Sequence, residues 1–206
     1  MVRILAMERV RGCRIKLVLE DGSSFCLLKS ALQARPMQPG DEVDPEEFRN
    51  WVMLQQYRPA LEKAVSMLAG RACSQKEIHQ KLRQIGYSEE TIEMVLTKLN
   101  INHLLNDQEF ADQWVSQRAG KKYGPRRIEQ ELRQKGVSSK EIEESMASVS
   151  EDDYLAHAVR LAEKAWRNAK PGEDPRKTRS RILSALVRKG YDWELARRAL
   201  DRVTEE

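Results

Sequence analysis

The chain lacks any long apolar run. None of its hydrophobic stretches approaches the roughly eighteen uncharged residues that would cross a bilayer as a helix. The N-terminus, MVRILAMERVRG, has no apolar core followed by small residues of the kind that marks a secretory signal. A soluble protein that stays in the cytoplasm, with no membrane contact, is the expectation. Cysteine is scarce: Cys13, Cys26 and Cys73 are 3 thiols with no CxxC spacing and no paired histidines nearby. This argues against a disulfide framework and against a zinc site. Cys13 and Cys26 could face each other across a hairpin, but they read more simply as thiols of a reducing compartment. The 3 histidines, His79, His103 and His157, fall at unrelated positions. HExxH, GxSxG, a glycine-rich phosphate loop and a close pair of acids in an apolar context are all missing. No catalytic residue, metal or cofactor is expected, and the chain reads as a non-enzyme.

What is present is charge, unevenly laid out. Of 206 residues, 40% are apolar and 33% are charged, with a net charge of +4. The total is too small for a polycation, but the signs separate locally. Residues 118–135 hold seven bases against two acids, and residues 176–190 hold six bases and no acid. Such clusters are candidate surfaces for phosphates or for an acidic partner.

The first fifty residues differ from the remainder. RIKLVLEDGSSFCLL places two apolar runs around Asp21-Gly22, a dipeptide suited to a type I′ hairpin. Strands are expected near Ile15–Glu20 and Ser24–Leu28, joined by Ile4–Arg9, with a short helix and an acidic helix start after them. From Arg58 onward the apolar spacing is helical. The pattern Ile-x3-Leu-x3-Gly recurs as Ile78, Leu82, Gly86; Ile128, Leu132, Gly136; and Ile182, Leu186, Gly190. Isoleucine and leucine four apart share a helix face, and a glycine one turn later supplies the left-handed residue that ends the helix. Ser74 with Glu77, and Ser138 with Glu141, have capping-box spacing. A longer amphipathic helix precedes each pair, so the unit is a three-helix repeat. The fold expected is mainly α: an elongated array of three repeats (56–105, 106–150 and 151–206) behind a small β-rich segment (1–55), and a monomer. RNAKPGEDPRKT, with its Pro171-Gly172 and Asp174-Pro175 steps, reads as a loop inserted in the third repeat.

The stretch YGPRRIEQELRQKG begins a helix with arginines, although helix N-termini favour acids. Pro125 suits the first helical position. Lys121, Lys122, Tyr123, Arg126, Arg127 and Arg133 form one candidate binding patch. Arg176, Lys177, Arg179 and Arg181, leading into the matching helix of the third repeat, and Arg188 and Lys189 at its end, form a second. A solvated face laced with ion pairs is the competing reading, with Glu129 and Glu131 as partners. Phe110, Trp114 and Trp166 fall on helical stripes and are assigned to core packing.

The middle repeat, NDQEFADQWVSQRAGKKYGPRRIEQELRQKGV, resembles the RecX family, bacterial modulators of the recombinase RecA. It has the acidic start, the Phe-Ala pair, the following arginine and the Gly-Pro-x-basic-Ile-x3-Leu-x3-Gly core. LAGRACSQKEIHQKLRQIGYSEETIEMVLTKL is similar in the first repeat, and the third repeat more loosely. The residues Asn100 to Leu105 depart from the family, which usually has a glycine-containing turn there. The resemblance implies a curved helical array in the groove of a RecA filament on DNA, limiting filament growth and the recombinase and ATPase activities without chemistry of its own. It implies RecA and DNA phosphates as partners. A general nucleic-acid-binding helical protein acting without RecA, or a scaffold for other proteins, are the alternatives.

Overall fold

Period-two alternation at the N-terminus produces a sheet with one apolar face. In the computed structural model, which describes residues 1–10, 12, 14–169 and 172–204, strands β1 (Val2–Val10), β2 (Arg14–Leu19) and β3 (Ser24–Leu28) pair antiparallel. A short strand β4 (Glu42–Val43), not anticipated from the sequence, pairs with β1 and completes the order β3-β2-β1-β4. Ile4, Leu17, Leu19, Phe25 and Leu27 are buried together with Phe48 and Val52. The β2–β3 turn differs from the type I′ expectation, because Gly22 has a positive φ of 81° and Asp21 does not. The Leu19 amide donates to the Ser23 carbonyl at 2.9 Å, so three residues are spanned, while the Asp21 carboxylate accepts from the Ser23 amide and hydroxyl. An aspartate that bonds its own backbone two residues on favours this wider loop with glycine in its last place. Helix α1 (Lys29–Ala34) follows the sheet.

Helix α2 (Pro45–Gly70) serves two cores. Its buried residues, Phe48, Val52, Gln56, Ala60 and Ala64, recur every fourth position. Because a helix turns about 100° per residue, that spacing drifts about 40° at each step and about 160° along the row. Phe48 and Val52 therefore face the sheet, while Ala60 and Ala64 face α3 (Gln75–Ile85) and α4 (Glu89–Ile101) with Ile78, Leu82, Ile92 and Leu99. Gln56, 1% exposed, sits at the crossover. It donates to the Cys26 carbonyl at 2.8 Å and accepts from the Ser88 amide at 2.8 Å and the Thr91 hydroxyl at 3.1 Å. The expected division after residue 55 thus falls inside one helix. Cys13, which could have faced Cys26 across a hairpin, lies outside the described residues, as does Pro171; Cys26 is half-buried and Cys73 buried, in keeping with the simpler reading of separate thiols.

Residues Met1–Asn106 form one compact unit and Asp107–Glu206 a second. The second holds α5 (Asp107–Gly120), α6 (Pro125–Gln134), α7 (Ser139–Met146), α8 (Glu151–Arg167), α9 (Pro175–Arg188) and α10 (Trp193–Thr204). The Ile and Leu of each motif copy are at most 2% exposed. Gly86, Gly136 and Gly190 have φ of 96°, 84° and 96°, the left-handed value expected of a helix terminator. Both expected capping boxes are formed, and Ser150 with Asp153 makes another. At the departure from the family pattern, His103 takes φ 53° and closes α4, with the Leu104 amide donating to the Leu99 carbonyl at 2.9 Å. A side chain thus occupies a conformation that glycine normally supplies.

Candidate partner-binding site

The site is built where the start of α6 meets the end of α9. Helix α5 ends as the Tyr123 amide donates to the Arg118 carbonyl at 3.1 Å, with Lys122 in the left-handed region at φ 58°. The Lys122 carbonyl is in turn fixed by the hydroxyl of Tyr191, which donates to it at 3.1 Å. The Gly124 amide then donates to the Lys189 carbonyl at 2.9 Å, and the Arg126 amide to the Gly190 carbonyl at 3.1 Å. One of the unpaired donors at the α6 N-terminus is therefore satisfied by the backbone of the third repeat rather than by a side-chain cap. The approach is close enough to require glycine on both sides. A Cβ on Gly124 would lie 2.3 Å from the Gly190 carbonyl carbon and the Tyr191 nitrogen, and a Cβ on Gly190 would lie 2.3 Å from the Arg127 Cβ.

Around this seam the aromatics and bases interleave. The Tyr123 ring carries the Arg127 guanidinium 4.4 Å from its centroid and the Lys189 ammonium at 5.1 Å. Trp114, stacked on Phe110, has the Arg118 guanidinium at 4.3 Å and the Lys135 ammonium at 4.1 Å from its ring. Each such contact contributes about 0.5–2 kcal/mol, more where water is excluded. Glu131 is a carboxylate drawn into this group. It accepts from the Trp114 indole and the Arg127 Nε, both at 3.1 Å, and its other contact is Arg118 Nε at 2.7 Å. Trp114 thus packs on the core, as expected, and is also a platform for cations.

The predicted residues divide by what they touch. Arg127 pairs with Glu131, Arg133 with Glu129, Arg179 with Asp201 and Arg181 with Glu173. For these four the competing reading of a paired surface has a physical basis. Lys121, Lys122, Arg126, Arg176, Lys177, Arg188 and Lys189 make no ion pair among the described residues. Arg126 and Arg188 come together in a cleft of about 390 Å³, with Arg127, Gln130, Gln134 and Tyr191 also lining it. Arg176, Lys177, Arg179 and Arg181 are not brought there, because from Arg176 to Arg188 helix α9 rises about 18 Å at 1.5 Å per residue. The matching positions of the two repeats are therefore not paired. The end of one helix meets the start of the other.

Sequence reasoning missed Arg118 as an inner cation, Gln130 and Gln134 as cleft walls, and Tyr191 as the strut beneath Lys122. The signals present were the four-residue spacings Trp114–Arg118 and Arg127–Glu131, and the large residue following two of the three motif glycines, Tyr87 and Tyr191. Burial pushes the Tyr191 phenol well above its ordinary range, with a smaller contribution from neighbouring Tyr154. The burial favours its neutral, hydrogen-donating form.

The three helical units match family models described as the first, second and third three-helix domains of RecX, over residues 60–99, 106–146 and 151–200. The chain is 35% identical over 146 residues to the regulatory protein RecX of Prosthecochloris aestuarii, covering 71% of this chain and 94% of that one. To the regulatory protein RecX of Amycolatopsis mediterranei it is 43% identical over 77 residues, a match spanning 37% of this chain and 39% of the relative. A crystal structure of regulatory protein RecX superposes with a TM-score of 0.64 at 23% identity, covering 100% of both chains, a likeness of fold.

Proposed function

The chain belongs to the RecX family of regulatory proteins, and from that membership we propose that it binds the RecA filament on DNA and lowers the filament's recombinase and ATPase activities without chemistry of its own. The observation that carries the reading is the cleft at the α6–α9 seam, where Arg126 and Arg188 stand exposed and make no ion pair among the described residues, while Glu131, the carboxylate that also lines the cleft, is held by Arg127 and Arg118. A guanidinium left unpaired beside amide side chains is set to accept an external anion through charge-assisted hydrogen bonds. Lys121, Lys122 and Lys189 extend that surface, and Arg176 and Lys177 supply a second contact further along α9. Arg127, Arg133, Arg179 and Arg181 contribute less to binding, because each already has a carboxylate. DNA phosphates and acidic groups of RecA are both within the chemistry of this surface. A cytoplasmic location accords with this role.

The test is binding of the chain to labelled single-stranded DNA with and without RecA, across a range of salt. Weak binding to naked DNA and strong binding to the filament is expected. Arg126→Glu with Arg188→Glu should weaken filament binding by at least about tenfold, the loss of one or two charge-assisted bonds, with helicity unchanged. Tight RecA-independent binding with a steep log–log salt slope would instead favour a general nucleic-acid binder, since counterion release scales with phosphate contacts.

A further inference from the structure

On the other side of the same seam lies a cavity of opposite character. It measures about 570 Å³ and is lined by Pro125, Met146, Glu151, Tyr154, Asp192, Glu194, Leu195 and Arg198. Pro125 adjoins Arg126 of the basic cleft and Asp192 adjoins Tyr191, so the two recesses back onto one Gly124–Gly190 contact. Three carboxylates face one guanidinium here. Arg198 is engaged by Glu151, and the Asp192 carboxylate accepts the Leu195 amide at 2.8 Å. Glu194 makes no ion pair among the described residues. Acids in the first turns of α8 and α10 also suit those helix dipoles. The dipoles do not account for Tyr154. That residue is 4% exposed, lines the cavity, and its hydroxyl is buried with no hydrogen-bond partner among the described residues. Leaving such a hydroxyl unpaired costs about 1–3 kcal/mol, and a ligand donor would recover it.

We propose that this cavity receives a basic side chain, arginine or lysine, of the protein that the chain binds. Pro125, Met146 and Leu195 offer apolar wall to the aliphatic stem, Glu194 and Asp192 meet the charged head, and the Tyr154 oxygen accepts one of its protons. A polyanion laid across the seam would be drawn to Arg126 and Arg188 and repelled by Glu194 and Asp192. A protein surface with acidic and basic groups side by side satisfies both recesses. That the donor is a protein rests on the functional reading above; that the cavity takes a cation on an aliphatic stem rests on its lining alone.

Titration of the isotopically labelled full chain with N-acetyl-arginine methylamide, read by amide chemical shifts, tests the site without RecA. Saturable shifts are expected at Tyr154, Glu194 and Leu195. Affinity should fall at least about tenfold for the neutral citrulline analogue, as expected when a charge-assisted hydrogen bond is lost. Tyr154→Phe and Glu194→Gln should each weaken the response, and Arg126→Glu should not. No saturable shift, an equal response to citrulline, or an unchanged response in Glu194→Gln would overturn the cavity. In a second arm, Glu194→Gln is compared with the unaltered chain for filament binding. Loss of affinity supports a donor on the filament. Unchanged filament affinity in a variant that has lost the arginine probe would overturn that assignment and leave the Arg126–Arg188 reading standing.

Discussion

At the scale of single residues, the glycine of the repeated motif has two jobs, of which one was legible. Its left-handed φ follows from where helices end, and the spacing Ile-x3-Leu-x3-Gly announces it locally. Its second job is tertiary. Gly190 admits the backbone of Arg127, and Gly86 admits Cys26, whose Sγ would lie 2.5 Å from an added Cβ and whose amide donates to the Gly86 carbonyl at 3.3 Å. Gly190→Ala should therefore cost about 2–4 kcal/mol, the left-handed penalty plus overpacking, read as a lowered urea midpoint. Tyr154 behaves in the opposite sense. Tyr154→Phe removes a buried hydroxyl without a partner and should raise stability at neutral pH by about 1 kcal/mol. Burial pushes its pKa up to about 12, against about 10 for an unfolded tyrosine. Below pH 10 both states are protonated. As pH rises from 10 toward 12 only the unfolded state ionises, so stability falls, and it has lost this contribution once the folded phenol titrates. Urea unfolding between pH 9 and 12 should show a shallower fall in the Phe variant.

At the scale of elements, what could be read was what is encoded within about ten residues. Serine caps, the strand pair around Gly22 and the paired short helices all follow from neighbours in sequence. Helix α2 could not be read as one element, because Pro59 lies inside it and proline ordinarily breaks a helix interior. What carries the helix through is the four-residue row of buried side chains, which gives it one core on each side of Gln56. The side chain of Gln56 joins β3, α2 and the start of α4 by three hydrogen bonds. Gln56→Leu keeps the volume roughly but strands the Cys26 carbonyl and the Ser88 amide in the interior and leaves the Thr91 hydroxyl to Ser88 alone. A loss of about 2–4 kcal/mol is expected, and hydrogen exchange should be faster in α4 and β3. Strand β4 was missed for a related reason: two residues carry too little pattern to announce a strand.

For the whole molecule, the sequence showed which side chains were charged but not which would remain available. Residues 118–135 look mainly basic, yet Glu131 holds Arg118 and Arg127 inward while Arg126 is left outside. The two basic stretches looked like equivalent positions of two repeats. Folding instead joins the end of one to the start of the other, leaving Arg176 and Lys177 apart. Family membership and the three-helix plan were legible because they repeat; the cleft was not, because it exists only where two repeats touch. The measurement that bears most directly on regulation is ATP hydrolysis by RecA on single-stranded DNA as this chain is added. A fall at substoichiometric amounts is expected, abolished by Arg126→Glu with Arg188→Glu in a variant of unchanged helicity. Hydrolysis that is undiminished at equimolar chain, or inhibited equally by the double variant, would contradict the account.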